Sequence, residues 1–256
     1  MYIPCRPPAL SVMLLGVSTA TATTITEGRV KSGTGFAISP SGYIITSAHV
    51  VTGCQAISVW AQDSAQRSAR LVAIDSVRDV ALLRIRGTFF NYARARSREL
   101  ALGELVLALS YGVHVENPRS PETATGNYVR TDRTNTGTRV YVLRARLRPG
   151  DSGSAVVGTD GALLGMVIGY DIDHPGVGLV LPTFEIEQFL SRHGVRLLPA
   201  TAHDVRETSN LLRAISNLVQ CEPMTRQRAA NHHPKSGAGA HASRPKTNNP
   251  RGDVRL

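Results

Sequence analysis

The chain is short of cysteine, lysine and long apolar stretches, and each shortage excludes a class of protein. No apolar run reaches the roughly 18 residues needed to cross a bilayer, which rules out a multi-pass membrane protein. The three cysteines, Cys5, Cys54 and Cys221, form no C-x-x-C pair, so a zinc ribbon or a thioredoxin-like site has no support. No N-x-[ST] sequon occurs. Gly33-Thr34-Gly35 lacks the third glycine of a dinucleotide fingerprint. Glycine and proline, at 23 and 14 of 256 residues, are too ordinary for a collagen-like or low-complexity chain. A hydrophobic fraction of 42% is enough for a real core, which excludes full disorder and fits one or two domains.

The net charge is +10, and half of it sits in residues 222–256. That stretch is rich in Asn, Arg, Pro, Gly and His, with almost no large apolar side chains, and reads as a disordered basic tail. A positive surface can meet nucleic acid or an anionic surface. Charge alone specifies little, however, so solvated surface charge is the simpler reading. No nucleic acid is expected for the core, and weak contact with an anionic surface is left to the tail. Arg251-Gly252-Asp253 matches an adhesion tripeptide by letter only.

At the N-terminus, Arg6 precedes the apolar run Ala9 to Val17, and small residues follow from Ser18 to Thr24. Ala20-Thr21-Ala22 fits the small-x-small rule of signal peptidase. Residues 1–22 therefore read as a signal peptide of a secreted or periplasmic protein, with a first strand or an uncleaved anchor as the alternatives. Once this segment is removed, Cys54 and Cys221 remain. They have the option of pairing in an oxidising compartment, but two independent thiols is the reading preferred here.

From residue 25 to 182 short apolar runs recur between Gly, Pro, Asn and Ser punctuation, the texture of an all-β protein with about thirteen strands. Ser39-Pro40-Ser41-Gly42 and Thr159-Asp160-Gly161 read as hairpin turns. The stretch 87–103, with Arg94, Arg96 and Arg98, reads as a linker between two β halves, and 113–125 as a long surface loop. A helix is expected from Thr183, with Thr183 as N-cap and a glutamate at helical spacing behind it. A second, amphipathic helix is expected over 201–221, because Val205, Leu212, Ile215 and Val219 share a face.

Three stretches carry chemistry. In Pro149-Gly150-Asp151-Ser152-Gly153-Ser154 a serine lies between glycines in a tight turn, so its hydroxyl can project unobstructed. Glycine frees the backbone to aim consecutive N–H groups, those of Gly150 and Ser152, at a developing oxyanion. Serine needs a neighbouring base. Among eight histidines, His49 stands out, at the end of an apolar strand beside small residues. The base needs an acid to hold its tautomer. Asp79 opens the apolar run Val80 to Ile85 and ranks ahead of its rival Asp75, because a carboxylate beside a buried strand needs a partner.

Thr46-Ser47-Ala48-His49-Val50-Val51, Arg78-Asp79-Val80-Ala81-Leu82-Leu83 and Pro149-Gly150-Asp151-Ser152-Gly153-Ser154 occur in the order His, Asp, Ser. That order and those contexts resemble the chymotrypsin-like (trypsin-like) serine proteases, and most closely the bacterial HtrA/Deg type. Gly33 to Ile38, Gly103 to Leu109, Gly165 to Gly169 and Gly178 to Pro182 resemble further strands of that branch, over roughly residues 28–195. The resemblance implies an all-β fold of two six-stranded antiparallel β-barrels with a closing helix. The protease domain would span 25–200, with barrel one at about 25–90, barrel two at about 102–182 and the helix at about 183–193.

The resemblance also implies a peptide-bond hydrolase acting on protein or peptide substrates. His49 would be the base, Asp79 its orienting acid and Ser152 the nucleophile, with the Gly150 and Ser152 amides as oxyanion hole and no metal or organic cofactor. Some 60 residues follow the domain, too few and too polar for the PDZ domain usual in the HtrA type. No Ile-Val-Gly-Gly start is present, so zymogen activation through a new N-terminus is not expected. The substrate pocket would draw on Arg146 and Leu147, on Ile168, Gly169 and Tyr170, and on Gly178, Leu179 and Val180. Leu147 and Ile168 pointing inward would make it accept medium apolar residues. Arg146 pointing inward would make it accept acidic ones; the apolar form is preferred. Two other classes stay in view: an inactive relative that binds peptides or partners, and a nucleic-acid or envelope binder using Arg94 to Arg98 and the tail.

Overall fold

The computed structural model describes residues 30–60, 65–112, 121–171, 174–200 and 208–224. The signal-peptide reading of 1–22 and the tail reading beyond residue 224 lie outside them. Barrel one opens with β1 (Lys31–Ala37), β2 (Tyr43–Thr46), the short helix α1 (Ala48–Val51), β3 (Cys54–Trp60), β4 (Gln66–Asp75) and β5 (Val80–Ile85). The two-residue strand β6 (Arg94–Ala95) follows. Barrel two is built from β7 (Leu105–Ser110), β8 (Glu122–Arg133), β9 (Arg139–Ala145), β10 (Ala155–Gly158), β11 (Leu163–Tyr170) and β12 (Val177–Pro182). Then come helix α2 (Thr183–Ser191), β13 (Leu198–Pro199), helix α3 (Thr208–Ile215) and β14 (Ser216–Pro223).

Barrel one closes in the order β1-β14-β3-β4-β5-β2. In barrel two the order is β10-β7-β8-β9-β12-β11, and pairing of β10 with β11 closes it. Both hairpin turns form. Ile38 N–H bonds the Tyr43 carbonyl across Ser39–Gly42, and Gly158 N–H bonds the Ala162 carbonyl across 159–161.

The apolar run Val80 to Leu83 of β5 follows from its having two buried faces there, with exposed Arg84 interrupting the run before Ile85. Ala81, Leu83 and Ile85 fill barrel one with Ile44, Val59 and Val219. Val80 and Leu82 face outward into a second core with Phe36, Leu109, Met166, Leu181, Phe189 and Ile215. This second core lies between the barrels and under α2 and α3. A third cluster, including Val106, Leu143, Val167 and Val180, fills barrel two.

The structure corrects several expectations. The helix expected over 201–221 is helical only at 208–215 among its described residues, and the chain then extends as β14. Leu212, Ile215 and Val219 satisfy helical spacing, but Ser216 to Val219 are buried on both faces because β14 lies between β1 and β3. Pairing on two edges outweighs a local periodicity. Barrel one therefore takes its sixth strand from beyond barrel two, and Glu222 and Pro223, assigned to the tail, belong to that strand.

Cys54 and Cys221 are not independent thiols. They are joined in a disulfide, with their Cα atoms 5.3 Å apart, because β3 and β14 are antiparallel neighbours at a spacing a disulfide spans. The stretch 87–103 is not wholly irregular, since β6 pairs in parallel with β11 and β13. Of the expected loop 113–125, residues 122–125 belong to β8. Helix α2 has Pro182 at its N-cap and no side-chain cap bond, and its Glu185 is used elsewhere.

Candidate active site

His49 stands on α1, the single helical turn between β2 and β3, and Asp79 closes the turn between β4 and β5. The register of β2 with β5 brings them together: Thr46 pairs with Ala81, two residues beyond Asp79. Both Asp79 oxygens are on His49. Oδ1 accepts the His49 backbone N–H at 2.9 Å and Oδ2 lies 2.8 Å from Nδ1. The histidine side chain is 54% exposed and the aspartate 24%, so the imidazole borders solvent while the carboxylate is largely screened behind it. Asp75 does not take this place. Its carboxylate accepts the N–H groups of Val77 and Arg78 and pairs with the Arg78 guanidinium at 3.0 Å. Burial alone would raise the Asp75 pKa, but Arg78 and the Val77 N–H outweigh burial and hold it below the ordinary carboxylate value.

Ser152 lies in the turn between β9 and β10, in barrel two. Gly150 has φ +94 and Gly153 φ +88, backbone that glycine enters freely. A Cβ on Gly153 would overlap the Thr34 carbonyl oxygen and lie 2.7 Å from Thr46 Oγ1. The turn is stitched to the histidine segment through two shared partners. Thr34 N–H donates to the Ser152 carbonyl at 3.0 Å, and Thr46 Oγ1 donates to the Thr34 carbonyl at 2.7 Å. The Val167 carbonyl accepts both Gly153 N–H and Ser47 Oγ–H. The residues flanking Ser152 and those leading into His49 thus meet at the junction of the barrels.

Two buried hydroxyls, Thr34 Oγ1 and Ser110 Oγ, donate to the Gly150 carbonyl. Asp151 Oδ2 accepts the Arg148 N–H at 2.7 Å. The backbone N–H groups of Gly150 and Ser152 have no hydrogen-bond partner among the described residues, and neither has Ser152 Oγ. Free donors in an otherwise bonded turn are what an oxyanion hole requires before substrate arrives.

The expected pocket residues divide. Leu147 is half-buried and packs with the barrel-two cluster of Val167 and Val180. A Cβ on Gly178 would lie 2.6 Å from Leu147 Cδ1, while a Cβ on Gly169 would meet nothing within 4 Å. Arg146 is exposed. Ile168 does not join Leu147. It sits at a bulge in the β11–β12 pairing and packs into the core between the barrels. Tyr170 is exposed and Leu179 half-buried.

The arginines of the linker are engaged internally. Arg96, 3% exposed, bonds Glu104 at 2.6 Å and pairs with Asp160, Arg98 bonds Glu104, and Arg94 lies over the Tyr92 ring. Among the described residues no group of three or more His, Cys, Asp and Glu is placed to hold a metal ion, and no helix is long and apolar enough to cross a membrane. Sequence reasoning missed Thr34 and Ser110. Thr34 carried one usable signal, its place between Gly33 and Gly35.

A family model described as a trypsin-like peptidase domain matches residues 33–166. Over 197 residues the chain is 30% identical to the serine protease Do-like HtrA of Bacillus subtilis, covering 70% of this chain and 43% of that one. It is 33% identical over 137 residues to a probable periplasmic serine endoprotease DegP-like of Pseudomonas savastanoi, covering 52% of this chain and 28% of the other. The chain thus spans less than half the length of these curated relatives. Among solved structures, the active form of the Rv3671c protease from M. tuberculosis superimposes with a TM-score of 0.60 at 28% identity, covering 68% of this chain and 78% of that one.

Proposed function

The chain belongs to the trypsin-like peptidase domain family, and on that premise we propose that it is a serine endopeptidase working through His49, Asp79 and Ser152. One observation carries the reading: Asp79 grips His49 through both oxygens while the segments leading to His49 and flanking Ser152 share Thr34 and Val167 as partners.

Asp79 holds a proton on Nδ1, which leaves Nε2 with its lone pair. Nε2 takes the Ser152 hydroxyl proton as Oγ adds to the scissile carbonyl. The oxyanion moves onto the free N–H groups of Gly150 and Ser152, each such donor being worth about 3–4 kcal/mol in the transition state. The tetrahedral adduct collapses, His49 returns its proton to the leaving amine, and Ser152 keeps the acyl group. Water then repeats the addition and releases the acid. No metal or organic cofactor enters these steps.

The pocket takes medium apolar side chains. Its supports are Leu147 against Gly178, the open space at Gly169 and the exposure of Arg146. Substrates are proteins or peptides. The apolar run near the N-terminus, the disulfide, which persists in oxidising compartments, and the periplasmic description of the Pseudomonas relative support a secreted or periplasmic location. The mass of the exported chain, shortened by the leader, checks it.

The test of function is hydrolysis of casein or a peptide by the purified chain beside Ser152→Ala, with a fluorophosphonate probe. We expect labelling at Ser152 and loss of turnover by about 10 000-fold or more in the variant. An unlabelled, inactive wild-type chain would instead indicate a peptide-binding relative.

A further inference from the structure

We propose that Arg78 is a positioning residue for the triad acid, fixing the turn that presents Asp79 by tying it to helix α2. The proposal rests on the triad reading above. Asp79 is the one described non-glycine residue with positive φ, at 54°. Such backbone persists only where its surroundings over-determine it. On one side Asp79 is followed by Val80, fully buried in β5. On the other, Arg78 is held from three directions. Its Nη1 donates to Asp75 Oδ2 at 3.0 Å, its Nε to Glu185 Oε2 at 2.9 Å and its Nη2, more weakly, to Gln188 Oε1 at 3.4 Å.

Glu185 and Gln188 lie on α2, which packs on β11 and β12. The second oxygen of Glu185 accepts the Arg139 N–H at the start of β9. The guanidinium therefore joins a turn of barrel one to an element resting on barrel two.

This is a demanding place for an ion pair. The Arg78 side chain is 18% exposed and that of Glu185 7%, and a pair buried so far contributes little net stability over an apolar replacement. What it supplies is direction. The forked guanidinium fixes the backbone immediately before Asp79 against the barrel that carries Ser152. His49 and Asp79 come from one barrel and Ser152 from the other, and a misplacement of about 1 Å between such groups costs roughly 100-fold in rate.

The test compares Arg78→Met, Arg78→Lys and Ser152→Ala for kcat and KM on one peptide, with thermal melts to verify folding. Arg78→Met is expected to lower kcat about 10- to 100-fold at nearly unchanged KM. Arg78→Lys keeps the charge and the fold but cannot bridge Asp75 and Glu185 in the same fork, and it should recover only part of that loss. In an Asp79→Asn background, Arg78→Met should lower kcat no further. Wild-type kcat in folded Arg78→Met or Arg78→Lys would overturn the proposal, as would an equal loss with Asn at 79. If Ser152→Ala retains turnover, the triad reading itself fails. If it is inactive while the Arg78 variants are not, only the present inference falls.

Discussion

On the proposed reading of the pocket, the single side chain at residue 147 sets how deep a substrate residue can go. Leu147 lies against Gly178 and lines a small void with Val106, Ala108, Thr125, Leu143 and Val156. The lining is mostly apolar, so the void offers water few partners. Leu147→Ala should join it to the pocket. We expect wild-type cleavage after medium apolar residues and a shift toward Leu and Phe in the variant, read from a peptide library. The stability cost should be near the low end of the about 2–5 kcal/mol for such truncations, because Leu147 is only half-buried. A strong wild-type preference for Glu would overturn this account of the pocket.

Among the elements, β14 matters most to the first barrel. It pairs with β1 on one edge and β3 on the other, and Trp60 Nε1–H bonds Gln220 Oε1 at 2.7 Å across the β3 pairing. β1 in turn supplies Thr34, which holds the Ser152 turn. The Cys54–Cys221 disulfide spans 167 residues of sequence, so it restricts the unfolded chain strongly. Cys54→Ala with Cys221→Ala should lose about 2–4 kcal/mol, seen as a lower midpoint in denaturant unfolding. An unchanged midpoint would mean that strand pairing alone secures β14.

Across the whole molecule, stability responds to acid through Asp75, whose partner Arg78 also bridges to α2. In the folded chain Asp75 is held below its ordinary pKa by Arg78, so the folded state binds fewer protons there than the unfolded state. Its stabilisation is complete above the unfolded value of about 3.9 and is lost as pH falls through that value toward the lower folded one. Thermal midpoints should therefore drop as pH descends below about 4, and Asp75→Asn should flatten that part of the curve. Above pH 5 the carboxylate stays charged in both states, so the slope there should be unaffected by the substitution.

How much was legible differs from residue to residue. Asp79 could be ranked over Asp75 because a carboxylate opening a buried strand demands a partner, and the partner is His49. The Ser152 turn was legible because glycine on both sides reports backbone that other residues resist. Thr34 was legible only through its place between two glycines, and Ser110 and Arg78 not at all, since hydroxyls and guanidinium groups act here through partners 40 to 116 positions away. The helix expected through Val219 and the unpaired cysteines failed for the same reason. Local spacing cannot register a strand that lies between two others brought from the opposite end of the chain.

By itself the sequence determined the alternation of apolar runs and turns of an all-β chain, and the residue types able to perform hydrolysis, because burial and backbone permissiveness are written locally; two barrels followed only from the family resemblance. Only the tertiary structure decided which strand closes barrel one, which cysteines meet, that Ile168 turns into the core and that Arg78 reaches Glu185. Those outcomes depend on pairing register and packing between distant segments.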